Sequence, residues 1–365
     1  MTSPAEVSAA ALALPAPARR VPRRLRFGRW IALIVALLAA GELGARLWEA
    51  GGEGTATLYD TVVLAGSRFK MKPRVTVHVP ERYGTITYTF NADGYRDGEH
   101  ANGSRRQRLV LLGDSVTFGL GAPQEQIYPA VLQRQLDERL GPRYDVVNLA
   151  IFAYNTADEL AALREDGRKH QPRLVVVQFF MNDLSQPAAD APPRPPTSWQ
   201  RLLAVKNRYL YRSALARRLH QGFTRAAYVL VHDVRRSRFP DTLNDAEPRS
   251  KIAYLREHGD DSTVPAFASL LAIRDAAASL QAPLLILVTP DETQLFSSGF
   301  DAIDARLAAF CAKHRIPFVD ALPHLRAAPD RQALYLDGVH LSPQGHALVG
   351  RLLASELVAR GLVGH

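Results

Sequence analysis

Three short clusters of residues hold the chemistry available to this sequence. Gly113-Asp114-Ser115 follows one apolar run, Asn182-Asp183 follows another, and Asp337-Gly338-Val339-His340 lies near the C-terminal end. A serine hydroxyl is a poor nucleophile until a base takes its proton, and an imidazole suits that task near neutral pH. The imidazole in turn needs an acceptor on its other nitrogen to fix its tautomer and orientation. Asp337, three residues before His340 on one loop, can supply it. Attack on a carbonyl also generates an oxyanion, toward which the Asn182 amide and the Ser115 backbone N–H could point. These residue types at these places predict nucleophilic acyl transfer, with Ser115 as nucleophile, His340 as base and Asp337 as its orienting acid.

Residues so far apart in sequence meet only if regular elements bring their ends together. Short runs rich in Val, Ile and Leu at 108–112, 144–149, 174–180, 284–288 and 317–319 read as buried strands. Amphipathic stretches at 127–140, 157–170, 266–280, 302–314 and 343–360 read as helices. Pro129 suits a first helical turn, Thr156-Ala157-Asp158-Glu159 has the pattern of a capping box, and Ser342-Pro343 places proline just inside an N-cap. Alternation of this kind predicts a parallel sheet with right-handed crossovers and helices on both faces. Sites in such sheets form at the carboxyl ends of the strands, where the serine and asparagine clusters fall.

Composition narrows the alternatives. The chain has 365 residues, of which 47 % are hydrophobic and 22 % charged, a balance that excludes a disordered protein. One cysteine, Cys311, excludes a disulfide framework, a cysteine zinc site and an iron–sulfur cluster, and its apolar helical neighbours suggest a core position. The net charge of +9 is concentrated: residues 1–29 carry +5 and residues 194–238 carry +10, which leaves a mildly acidic body. That distribution argues against a nucleic-acid binder.

The Gly-Asp-Ser block after the first strand, Asn-Asp after the third and Asp-x-x-His near the C-terminus resemble those of the SGNH (GDSL) hydrolases, over about residues 106–362. The resemblance implies a flavodoxin-like three-layer α/β sandwich with a five-stranded parallel sheet. It implies a triad of Ser115, Asp337 and His340, and an oxyanion hole made by the Ser115 N–H, the Asn182 side chain and a third N–H. In the family a glycine gives that third N–H; in Asn148-Leu-Ala-Ile-Phe-Ala-Tyr-Asn-Thr156 the position falls on Ala153, which adopts positive φ less cheaply than glycine. No metal or organic cofactor is implied. Asp114 reads as a structural hydrogen-bonder of its turn, and His346 as a helix-face residue.

Outside this region, residues 30–48 form an apolar stretch bracketed by Trp30 and Trp48 and preceded by six arginines. It reads as a signal anchor, with residues 1–29 as a basic cytoplasmic tail and the body outside. A cleaved signal peptide and a buried core helix are the alternatives. Glu42 and Arg46 interrupt the stretch at i,i+4, a spacing that lets them pair. Residues 49–105 read as a small β-rich extension, with alternating runs at 75–79 and 85–90 and a turn at 91–96. An Asn-x-x-Gly-Tyr-Arg segment just upstream of Gly-Asp-Ser resembles membrane-anchored bacterial members of the family. Residues 186–262 are an insertion whose 199–236 stretch reads as a basic amphipathic helix or helix pair beside the site.

The expected function is therefore a serine esterase at the outer face of the cytoplasmic membrane, in the periplasm. It would remove an O-acyl group from a carbohydrate or lipid and meet the membrane through the N-terminal helix. An O-acyltransferase for a cell-surface glycan uses the same triad, and a non-catalytic glycan-binding member stands as the reading from another class.

Overall fold

The computed structural model describes residues 23–50, 58–65, 68–81, 84–101, 105–185, 213–216, 219, 246–259 and 261–364. Helix α1 (Arg23–Ala50) comes first. Two antiparallel hairpins follow, β1 (Val62–Ala65) with β2 (Arg68–Met71), and β3 (Thr76–Glu81) with β4 (Gly84–Thr89). Strands β5 (Gln107–Leu112), β6 (Tyr144–Asn148), β7 (Pro172–Phe179), β8 (Leu284–Val288) and β9 (Phe318–Asp320) then form one parallel sheet in the order β6-β5-β7-β8-β9. This is the flavodoxin-like order, in which the chain reverses direction across the sheet next to its first strand.

Both faces of the sheet are buried, as parallel strands require. Leu109 and Leu111 of β5 join Leu174 and Val176 of β7 in a core on one face. Helices α3 (Tyr128–Leu140) and α10 (Pro343–Ala359) close that core through Leu132, Leu136, Val349 and Leu353. Val110, Leu112, Val175 and Val177 point the other way, onto α4 (Thr156–Glu165), α6 (Pro265–Ser279) and α8 (Ala302–His314). Cys311 is buried on α8, and burial pushes its thiol up to about 12. The hairpins share this second core, since Met71, Val77, Ile86, Tyr88 and Phe90 belong to it.

Two local expectations need correction. The capping box of α4 is built on Asn155 and Asp158, not on Thr156 and Glu159: Asn155 accepts from the N–H groups of Ala157 and Asp158, and Asp158 accepts from Asn155 N–H. The one-residue shift turns Glu159 into the interior, where it is 1 % exposed. Moreover α4 stops at Glu165, and a 3₁₀ turn continues over Gly167–His170. At the break Asp166 is the C-cap, its N–H donating to Ala162 O at 2.9 Å, and its carboxylate pairs with Arg68, which is fully buried on β2. Lys70 at 2.5 Å, Lys169 at 2.6 Å and the Tyr95 hydroxyl at 2.7 Å converge on the same carboxylate, and Arg68 also donates to Tyr95 and Tyr154. Burial alone would raise the Asp166 carboxyl, but these donors outweigh it and hold the group well below the usual range.

The helical reading of 199–236 lies outside the described residues except for 213–216 and 219. Among the described residues α1 is long and apolar enough to cross a membrane, with a 19-residue span Arg29–Leu47 of mean hydropathy 1.8.

The Arg68 cluster ties the first hairpin to the sheet, so Asp166→Asn should lower unfolding free energy by about 3 kcal/mol in urea at neutral pH, because three cations lose their shared anion. The depressed carboxyl contributes stability above its unfolded pKa, so the gap between wild type and variant should narrow as pH falls below about 4.

Candidate active site

Strand β5 ends at Leu112, and the chain turns through Gly113 into α2 (Ser115–Phe118). Asp114 is the N-cap of that helix: its Oδ1 accepts from Val116 N–H at 2.8 Å, which places Ser115 on the first turn at the carboxyl edge of the sheet. Gly119 ends the helix at φ 76°, and a Cβ there would fall 2.1 Å from Ile127 Cγ2, so only glycine fits. Below the turn, Thr117 donates to Gln178 of β7 at 2.9 Å, and Gln178 donates to Thr289 beyond β8 at 2.8 Å. These buried side chains lock the ends of three strands together.

The C-terminal cluster reaches Ser115 on a tight loop before α10. Tyr335 and Leu341 form a β-bridge, Leu336 N–H donates to His340 O at 2.8 Å, and Asp337 Oδ1 accepts from the N–H groups of Val339 and His340. The other carboxylate oxygen faces His340 Nδ1 at 2.8 Å, and His340 Nε2 faces Ser115 Oγ at 3.0 Å. An ionised carboxylate can only accept, so Nδ1 carries the proton and Nε2 offers its lone pair to the serine hydroxyl. Burial raises the Asp337 carboxyl, but the His340 ring and the two backbone N–H groups bring it below its ordinary value. Burial pulls the His340 imidazole down, and Asp337, with Asp114 and Glu81 behind it, more than reverses that. The side chains of His340 and Asp337 remain 21 % and 30 % exposed, so the site opens to solvent.

Asn182 follows β7 on a 3₁₀ turn (Met181–Ser185), and its Nδ2 donates to Asp114 Oδ2 at 3.1 Å. A carboxylate oxygen selects the NH₂ end of the amide, and the second N–H is left to serve another acceptor. Ala153 is exposed and stands at φ 61°. Such a conformation costs an L-residue roughly 1–2 kcal/mol. Phe152 before it meets the Phe118 ring edge-on at 5.5 Å.

Several residues near the site make contacts that their sequence patterns did not show. Arg96, fully buried, donates to the carbonyls of Phe118, Gly119 and Ala122 at 3.0, 2.5 and 2.6 Å and lies over the Tyr88 ring at 4.3 Å. Burial without a carboxylate partner pushes it down to about 10. Tyr88 donates to Glu81 at 3.1 Å and accepts from Gly121 N–H at 2.8 Å, which fixes Glu81 above the turn that follows Ser115. Glu159 and Asp183 are buried beside Asp114, and desolvation and mutual repulsion push both carboxyls well above their usual range. His346 is buried on α10, accepts from Tyr128 N–H at 3.2 Å and is driven down to about 3, chiefly by burial, so it stays neutral. Among the described residues no cluster of His, Cys, Asp and Glu could hold a metal ion.

The hydrogen-bonded series of Ser115, His340 and Asp337 stands beside the carboxyl ends of a five-stranded parallel sheet flanked by helices. Residues 111–348 match the GDSL-like lipase/acylhydrolase family, and the chain belongs to it. Over 77 residues it is 36 % identical to Esterase TesA of Pseudomonas aeruginosa and 34 % identical to an arylesterase of Vibrio mimicus. Each of these alignments spans 21 % of this chain and 38 % of the relative's length. Among solved structures, that of TesA aligns with 70 % of this chain and all of its own at 17 % identity and a TM-score of 0.42. An acetylxylan esterase from Geobacillus stearothermophilus aligns with 69 % of this chain and 94 % of its own, at 17 % identity and a TM-score of 0.40.

Glu81 supports the charged form of His340, whereas a base must be neutral. The acid limb of kcat/KM should therefore report a group titrating above 6.5, with activity lost as pH falls through it. Glu81→Gln keeps a Tyr88 acceptor while removing the charge, and should move that limb to lower pH. A limb unmoved by the substitution would show that the Glu81 charge does not reach the imidazole.

Proposed function

We propose that the protein is a serine ester hydrolase working through an acyl-serine intermediate, with Ser115, His340 and Asp337 as its triad. The observation that carries this is the unbroken series from Ser115 Oγ through His340 at 3.0 Å to Asp337 at 2.8 Å. In the first half-reaction Ser115 Oγ attacks the ester carbonyl carbon while its proton passes to His340 Nε2. The tetrahedral oxyanion then collapses, the C–O bond to the alcohol breaks, and the alcohol leaves with the proton from His340. In the second half, water gives a proton to His340 and attacks the acyl carbon. Collapse of that intermediate returns the proton to Ser115 and releases the carboxylic acid. Asp337 holds the ring and stabilises the imidazolium without taking the proton.

In this reading the oxyanion meets the backbone N–H groups of Ser115 and Ala153 and the second Nδ2 hydrogen of Asn182. Asp114 then acts as a positioning residue, because its bond to Asn182 decides which end of the amide faces the site. The substrate is an O-acylated carbohydrate or lipid outside the cytoplasm. Supporting that location are the six arginines ahead of the apolar stretch and the position of every candidate catalytic residue after it. The esterase names of the two sequence relatives support ester hydrolysis.

A fluorophosphonate probe should label the wild type and fail to label a folded Ser115→Ala variant. Wild-type ester turnover by that variant would overturn the triad. An ester panel with and without a sugar acceptor should give hydrolysis as the main outcome, whereas acyl transfer in excess of hydrolysis would make the protein an acyltransferase. Asn182→Ala should lower kcat by about 10²–10³ with KM changed much less, since the donor meets charge that develops in the transition state. A raised KM with kcat intact would place Asn182 on the ground state instead.

A further inference from the structure

Two buried carboxyls beside the site, Glu159 and Asp183, take no part in the hydrolytic steps. Asp183 closes the turn that carries Asn182: its N–H donates to Phe180 O at 3.0 Å, and its Oδ2 accepts from Phe180 N–H at 3.1 Å. These bonds bracket Asn182, so the place of the amide follows the Asp183 carboxylate. The Thr156 N–H, first in α4, also bonds that carboxylate, which puts Asp183 at the positive end of the helix. Buried Lys251, on the helix Ala246–Glu257, adds a positive charge in its favour. Its other oxygen, Oδ1, is buried and has no donor among the described residues.

Glu159 lies on α4 three residues after Thr156, the spacing that brings two positions onto one helix face. Both of its carboxyl oxygens are buried, and neither has a partner among the described residues. Asp183, Asp114 and Asp158 all bear on it with like charge. An ionised carboxylate can only accept, so two ionised groups here would leave three oxygen atoms without a donor. Neighbouring carboxyls out of water cannot both hold a charge, and the proton settles on the one with less support. Asp183 has two backbone donors and a lysine in its favour, whereas the groups that bear on Glu159 are acidic.

We propose that Glu159 is a positioning residue for the oxyanion hole: it stays a neutral acid and donates its proton to Asp183 Oδ1. One hydrogen bond then fills the vacant acceptor, and the pair carries a single negative charge. The carboxylate that closes the Asn182 turn is thereby held from three sides. Asn182 passes the constraint on, because its Nδ2 bonds Asp114, the N-cap of the helix that begins with Ser115. The proposal rests on the reading of Asn182 as an oxyanion donor.

The test begins with infrared spectra of the full-length chain at neutral pH. The wild type should show the C=O stretch of a buried carboxylic acid that a Glu159→Gln variant lacks. The difference spectrum separates this acid from Asp304, whose carboxyl burial pushes up to about 7. Glutamine keeps the shape and offers an N–H to Asp183, so kcat should stay close to that of the wild type. Glu159→Leu removes the donor and should lower kcat roughly tenfold, the size of one hydrogen bond to a charge, with KM little changed. In an Asn182→Ala background the same leucine should cost almost nothing more, because its effect passes through the asparagine. An acid band that survives intact in Glu159→Gln would overturn the neutral acid. A leucine effect that adds fully to that of Asn182→Ala, or that lowers only the melting temperature, would overturn the positioning role. A chain with the expected infrared difference that no fluorophosphonate labels at Ser115 would overturn the serine hydrolase reading instead, and only the proton assignment would stand.

Discussion

A guanidinium taken out of water keeps its charge only if the groups around it replace the water it has lost. Arg96 meets that requirement with three backbone carbonyls at the end of α2 and the face of the Tyr88 ring. The turn that follows Ser115 is thereby held by a side chain from outside the sheet. Asn148, at the end of β6, contacts both partners of this arrangement, donating to Arg96 O and Thr117 O at 3.4 Å. Removing the arginine would take a donor from three carbonyls in the turn that follows Ser115. The β extension is thus part of the frame that aims Ser115, since Arg96, Tyr88 and Glu81 all belong to it.

Aromatic packing carries the same constraint sideways. Phe118 stacks on Tyr88 at 5.9 Å and on Phe90 at 6.3 Å, and meets Phe152 edge-on. One ring on α2 therefore touches the hairpin on one side and the loop of Ala153 on the other. The residue before the alanine is thereby held, while Ala153 itself stands exposed at φ 61°. The electrostatics follow from depth. Asp337 stays ionised because it gathers donors, whereas Glu159 and Asp183, deeper and short of donors, are pushed toward their neutral forms. His340 thus lies in a moderate negative field that favours its charged form.

The amino-acid sequence by itself determined the sheet, the order of its helices, the two clusters at strand ends and the third on the loop before the last helix. These follow from local rules: short runs of Val, Ile and Leu make buried strands, apolar periodicity makes helices, and Asp337 sits three residues from the ring it faces. Ala153 in place of glycine was visible for the same reason, as an identity at a numbered position. What the sequence did not display were relations between distant residues. Nothing in the spacing of Arg96 says that it folds back onto Phe118, 22 residues on, or that Glu81 reaches the neighbourhood of His340. The cap of α4 stands one residue earlier than the local Thr-x-x-Glu pattern suggests, because Asn155 and Asp158 satisfy each other's N–H groups and leave Glu159 to the interior. Glu42 paired locally with Arg46 as its spacing suggested, yet three of its bonds come from residues 171 to 173 positions away. Hydrogen bonds to buried or half-buried charges are satisfied by whichever donors the packed chain brings near, and only the tertiary structure decides which those are.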